Sequence, residues 1–146
     1  MKKLLFTVGI MVVVLASSVY AQKVARNRPE IDPRTSEAYS LLIQRKAKLQ
    51  SELEGLLALY DSDWPLAKRL QFELDALKTE MRQMSEIEES KVSRLTSGYG
   101  GLILRKVSLT GEIELMLQEE DSEWPPAKEK QRELELLSKE IQKLMK

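Results

Sequence analysis

The sequence predicts an all-α fold of tandem duplicated αα-hairpins, closed as an antiparallel four-helix bundle or drawn out as an elongated coiled-coil-like rod. Three observations predict it. Residues 39–84 and 99–144 are one segment written twice, 60 positions apart and without a gap, with 20 of 46 aligned positions identical. A repeat of this kind sets the architecture. Within each copy, apolar residues recur at alternating steps of three and four, the spacing of a helical seam. Histidine and cysteine are absent and aromatic residues make up only 5%, so a core of Leu, Ile, Met and Ala must form by helix-on-helix packing without disulfides.

The first 21 residues read as a signal peptide. Lys2 and Lys3 precede a charge-free, mostly apolar run from Leu4 to Ala16, and Val19-Tyr20-Ala21 supplies a cleavage site. That is the three-part pattern of export, and the run is shorter than the roughly 20 residues of a spanning helix. The expectation is an exported chain, periplasmic or secreted, cleaved after Ala21. Residues 22–35 carry Pro29, Pro33 and four basic residues, and read as a flexible arm. Its membrane-surface contact is a weak expectation, because Glu30 and Asp32 interrupt the basic residues.

Residues 36–95 form the first hairpin repeat with a helical extension, and 96–146 the second. Thr35 or Ser36 caps the first helix, and Tyr39, Leu42, Leu49, Leu53, Leu56 and Tyr60 make its seam, with the Lys46 stem covering the gap. Ile43 and Leu57 are expected to widen that seam. Asp61-Ser62-Asp63-Trp64-Pro65 breaks the helix, because proline suits a first helical turn and disfavours helix before it; the side chains before it offer caps. The returning helix carries Ala67, Leu70, Leu74, Leu77, Met81 and Met84, with Ala127, Lys130, Leu134, Leu137, Ile141 and Leu144 as counterparts. Ser85–Leu95 has no breaker and reads as a continuation. Gly98, Gly100 and Gly101 read as a stop and hinge, each costing about 1 kcal/mol inside a helix, so the third helix is expected near residues 102–119.

Chemistry is harder to find. Without His or Cys, the common nucleophile and histidine–metal arrangements are missing. The acids at Asp61, Asp63, Glu119, Glu120, Asp121 and Glu123 fail the calcium-loop spacing, since Leu66 and Phe72 stand where that loop needs Gly and Glu. No cofactor and no metal are expected. Without Lys2 and Lys3 the 23 basic residues fall to 21 against 23 acidic, which gives no footprint for nucleic acid. The candidate partner-binding residues are Trp64 and Trp124, the most distinctive repeated pair, and Arg45, Lys46, Arg105 and Lys106, a repeated basic pair. The competing reading folds each indole over its own seam beside Ala67 or Ala127 and gives the basic residues to solvated flanks.

Leu56-Leu57-Ala58-Leu59-Tyr60-Asp61-Ser62-Asp63-Trp64-Pro65, followed by Leu70, Leu74 and Leu77, resembles the coiled-coil turn of polysaccharide chain-length regulators. Members of that family usually carry His where Trp64 stands, and only about 25 residues match, so the resemblance implies a helical turn and carries no function over. The Leu-Thr-x-x-Gln mark of small periplasmic helical chaperones begins at Leu95-Thr96 and Leu109-Thr110, but Tyr99 and Ile113 replace its glutamine. The functional expectation is an exported, non-enzymatic structural, adaptor or scaffold component that meets a protein partner or itself. The alternatives are a periplasmic chaperone-like binder and, behind it, a carboxylate-dependent hydrolase.

Overall fold

A computed structural model describes residues 31–119 and 124–146. The expected signal peptide, the arm up to Glu30 and the acidic turn at 120–123 lie outside the described residues. The described chain is all-helical, with no strand. Its elements are α1 (Glu37–Leu57), α2 (Pro65–Ser85), α3 (Ser97–Glu119) and α4 (Pro125–Leu144), with short 3-10 helices at Pro33–Thr35 and Glu89–Arg94. None of the described helices is long and apolar enough to cross a membrane.

The helix starts follow from local chemistry. Ser36 has extended backbone, and its hydroxyl accepts from the Tyr39 amide at 3.2 Å. The Ala38 amide donates to the Leu95 carbonyl, and the Ser97 amide donates to Glu37 Oε2. Those bonds satisfy first-turn donors that a helix cannot satisfy by itself. In α2 and α4 the residue before the helix is Trp64 and Trp124, each extended, with Pro65 and Pro125 in the first helical position. Proline fits there because its missing donor would have had no partner.

Helices α1, α2 and α3 pack against one another, and α4 packs on α3. The seam positions Leu42, Leu49, Leu53, Ala67, Leu70, Leu74, Leu77 and Met84 are buried, joined by Tyr99, Ile103 and Val107 from α3. Burial of such side chains is worth about 1.5–3 kcal/mol each. The α4 seam is thinner. Only Ala127 and Ile141 are buried, while Leu144 is exposed.

Five local expectations are corrected. Helix α3 runs straight through Gly98, Gly100 and Gly101, none with positive φ. A Cβ on Gly100 would lie 2.9 Å from the Ala38 Cα, so this glycine lets two helix backbones touch and that packing offsets its poor propensity. The helical extension over Ser85–Leu95 is broken: α2 stops at Ser85, and a separate 3-10 helix follows. A seam continued from Met84 by steps of four and three would meet Glu88 and Lys91, whereas the break lets Val92 and Leu95 turn inward and be buried. Ile43 and Leu57 do not widen the core, because both are exposed. Finally, the start of α2 has no side-chain cap, so Asp61 and Ser62 do not serve there. The end of the expected arm, Pro33–Thr35, is a 3-10 turn that contacts α1 and α2.

Candidate functional site

The turn between α1 and α2 presents a run of large apolar side chains to solvent. Helix α1 ends at Leu57, and the amides of Leu59 and Tyr60 still bond to the Leu56 carbonyl. That last half-turn winds the chain away from the seam. Leu57, Leu59, Tyr60, Trp64 and Leu66 are all exposed, Leu59 at 77% and Trp64 at 48%. The Tyr60 and Trp64 rings stack with centroids 4.9 Å apart and planes 17° from parallel. Residues Leu57–Asp61 with Asp63, Trp64 and Pro65 line an open depression of about 640 Å³. Single exposed apolar residues are ordinary; five within ten positions of one turn are not.

The expectation that each indole folds over its own seam is therefore corrected. The Trp64 ring stacks on Tyr60 and is about half exposed, and Trp124 is itself 37% exposed. Neither tryptophan is part of the buried core.

The repeated basic residues stand within ion pairs between helices. Arg45 Nη2 donates to Glu73 Oε2 at 2.7 Å, and Arg105 Nη2 donates to Glu133 Oε1 at 2.7 Å. Lys106 reaches Glu80 on α2. Lys46 is half-buried and has no ion-pair partner among the described residues. Three of the four cations thus already meet carboxylates of the fold.

Glu73 anchors a longer chain of charges. It is only 1% exposed, and it accepts from Arg45 and from Arg69 Nε at 3.1 Å. Arg69 continues to Glu112 on α3 at 3.3 Å, and Glu112 accepts from Lys130 on α4. Five alternating charges thereby tie all four helices together. Burial pushes the Glu112 carboxyl up, but the Lys130 hydrogen bond and the charges of Lys130, Arg69 and Arg105 more than reverse this, leaving it below its usual value. No buried side-chain oxygen or nitrogen of the described residues is left without a partner, which is what a buried charge requires.

Sequence reasoning named Trp64 and missed Leu57, Leu59, Tyr60 and Leu66 as its neighbours. The signal was present: Leu56-Leu57-Ala58-Leu59-Tyr60 is a nearly unbroken apolar run, and one helical face cannot bury all of it. Among the described residues, no group of three or more Asp or Glu gathers to hold a metal ion. The chain matches no family model, no curated protein and no solved structure.

Proposed function

We propose that this chain is an exported, non-enzymatic helical protein that acts as a structural, adaptor or scaffold component, and that the apolar turn around Trp64 is its contact surface for a protein partner. The observation that carries this reading is the exposed cluster of Leu57, Leu59, Tyr60, Trp64 and Leu66. Aromatic anchors of this kind supply most of the binding energy at protein interfaces. Asp61 and Asp63 flank the cluster and favour a partner with basic residues around an apolar centre.

The same reading holds that the fold is a duplicated αα-hairpin closed as an antiparallel bundle. Two ion pairs support it. Arg45–Glu73 and Arg105–Glu133 occupy equivalent repeat positions, and each pair spans 28 residues across its own Trp-Pro turn. Along α3, Lys106 pairs with Glu80 while the later Glu112 pairs with the earlier Arg69, the order of two helices running in opposite directions.

Export is tested by sequencing the amino terminus of the protein recovered from its native cell envelope, where a start at Gln22 is expected. The contact surface is tested with a Leu59→Ser/Trp64→Ser variant. Its circular dichroism should match the parent, while partners co-purified from the envelope by the parent should be lost. Unchanged partners would remove the turn from the interface. Suppression of aggregation by many unrelated clients, with no discrete partner, would replace the adaptor reading with the chaperone-like one.

A further inference from the structure

The connection between the two repeats builds a second cavity, far in sequence from the Trp64 turn. It measures about 370 Å³ and is lined by Glu80, Gln83, Met84, Glu86, Ile87, Glu88, Lys91, Tyr99, Ile103 and Met145. That volume lies in the range of small-molecule sites, about 300–1,000 Å³. Glu86, Ile87, Glu88 and Lys91 belong to the one stretch, Ser85–Leu95, that the repeat does not duplicate.

Tyr99 is the distinctive group. It is only 7% exposed, and its hydroxyl has no hydrogen-bond partner among the described residues. It is nevertheless not a sealed, unsatisfied atom, and the residue lines the cavity. A buried hydroxyl left open in this way is a vacant hydrogen-bonding position. Burial, and then the charge of Glu80, push the Tyr99 hydroxyl above its usual value, so it stays protonated.

The rest of the lining has a clear character. Met84, Ile87, Ile103 and Met145 are apolar, and the two methionines can adapt to a ligand's shape. Glu80 is already matched by Lys106. That leaves Glu86 and Glu88 against Lys91, an excess of negative charge. The helix ends beside the cavity are already capped: the Gln83 and Met84 carbonyls of α2 accept from the Glu86 and Ile87 amides, and the Leu144 carbonyl of α4 accepts from Arg94 at 3.3 Å. The N-terminus of α3 offers no counterweight, because the amides of Ser97, Tyr99 and Gly100 are taken by Glu37 and Thr96.

We infer that this cavity is a binding site for a small organic ammonium with an apolar body. The body lies on Met84, Ile87, Ile103 and Met145, and the ammonium faces Glu86 and Glu88 and donates to the Tyr99 hydroxyl oxygen. The site is independent of the proposed contact surface at Trp64.

Three probes share one body and differ in charge: phenethylammonium, 2-phenylethanol and 3-phenylpropionate. Each is titrated into the full chain while the methyl signals of Met84 and Met145 are followed by NMR. The ammonium should saturate and shift both methyls, with affinity about tenfold above the alcohol, and the carboxylate should not bind. Glu86→Gln/Glu88→Gln should erase the preference for the ammonium over the alcohol. Tyr99→Phe, which keeps the packing, should weaken the ammonium severalfold. Absence of methyl shifts, equal affinity for ammonium and alcohol in the parent, or full affinity in Tyr99→Phe would each overturn the proposal.

Discussion

Arg45 on α1 holds the carboxylate of Glu73 on α2 at 2.7 Å, and Glu73 has almost no access to water. Arg105 and Glu133 make a bond of the same length on the two later helices, but both of those side chains are about half exposed. One sequence pattern thus gives two different physical situations, because α2 lies between two neighbours and α4 lies against one.

The first prediction follows from that difference. Arg45→Ala leaves Glu73 with Arg69 as its remaining cation and removes a charged hydrogen bond from a buried acid. The expected loss is about 1.5–3 kcal/mol. Arg105→Ala removes an exposed pair and should cost less than about 1 kcal/mol. Urea midpoints of the two variants at one pH make the comparison, and equal costs would mean that Glu73 is not buried as described.

Glycine substitutions should separate by position. A Cβ on Gly55 meets nothing within 4 Å, whereas one on Gly111 would lie 2.5 Å from the Glu73 Cγ and 3.2 Å from its amide nitrogen. Gly55→Ala should therefore stabilise by about 0.5–1 kcal/mol through helix propensity. Gly111→Ala should destabilise by about 1–3 kcal/mol through overpacking, because Glu73 is pinned by two arginines and cannot step aside. Gly100→Ala should behave like Gly111→Ala, since the obstructing atom is backbone. Thermal unfolding of the three variants reads the order directly.

Leu49 and Leu109 occupy equivalent positions in the repeats and are both fully buried. Each change to Ala should cost about 2–5 kcal/mol in denaturant unfolding. A cost near zero for either would take that residue out of the core.

The Glu112 carboxyl gives a pH signature. Its folded-state value lies below the usual one, so its contribution is fully present above the ordinary carboxylate pKa and is lost as pH falls through the lower folded value. Glu112→Gln should lower stability at pH 7 by about 1–2 kcal/mol. Parent and variant should converge as the pH drops below about 4. A constant gap from neutral to acid pH would show that the Lys130 and Arg69 bonds do not act through the charge of Glu112.

The seams were legible because Leu42, Leu49, Leu70, Leu74 and Leu77 obey a spacing that only a helix face can satisfy. Glu73 was not, since a single carboxylate among leucines carries no periodic signal; its burial depends on Gly111 across the interface, on Arg69 one turn earlier in its own helix and on Arg45 28 residues away. The glycines of α3 were misread because propensity counts only the chain's own cost and omits the contact that Gly100 permits with Ala38. The break at Ser85 was hidden for the converse reason: its residues are good helix formers, and tertiary burial of Val92 and Leu95 overrides them. The competing reading placed Trp64 over its own seam by a local rule, but its ring stacks on Tyr60 at the turn. The Tyr99 cavity had no sequence signal, because its lining comes from three helices and a connection.

The central claim is that the Trp64 turn meets a protein partner, and a photo-crosslinking residue introduced at Leu59 in the native cell envelope tests it most directly. A crosslinker at Leu59, where the side chain is most exposed, should give a discrete adduct that disappears with Trp64→Ser, while one at the exposed Lys139 of α4 should give none. A discrete adduct from Lys139 and none from Leu59 would contradict the account.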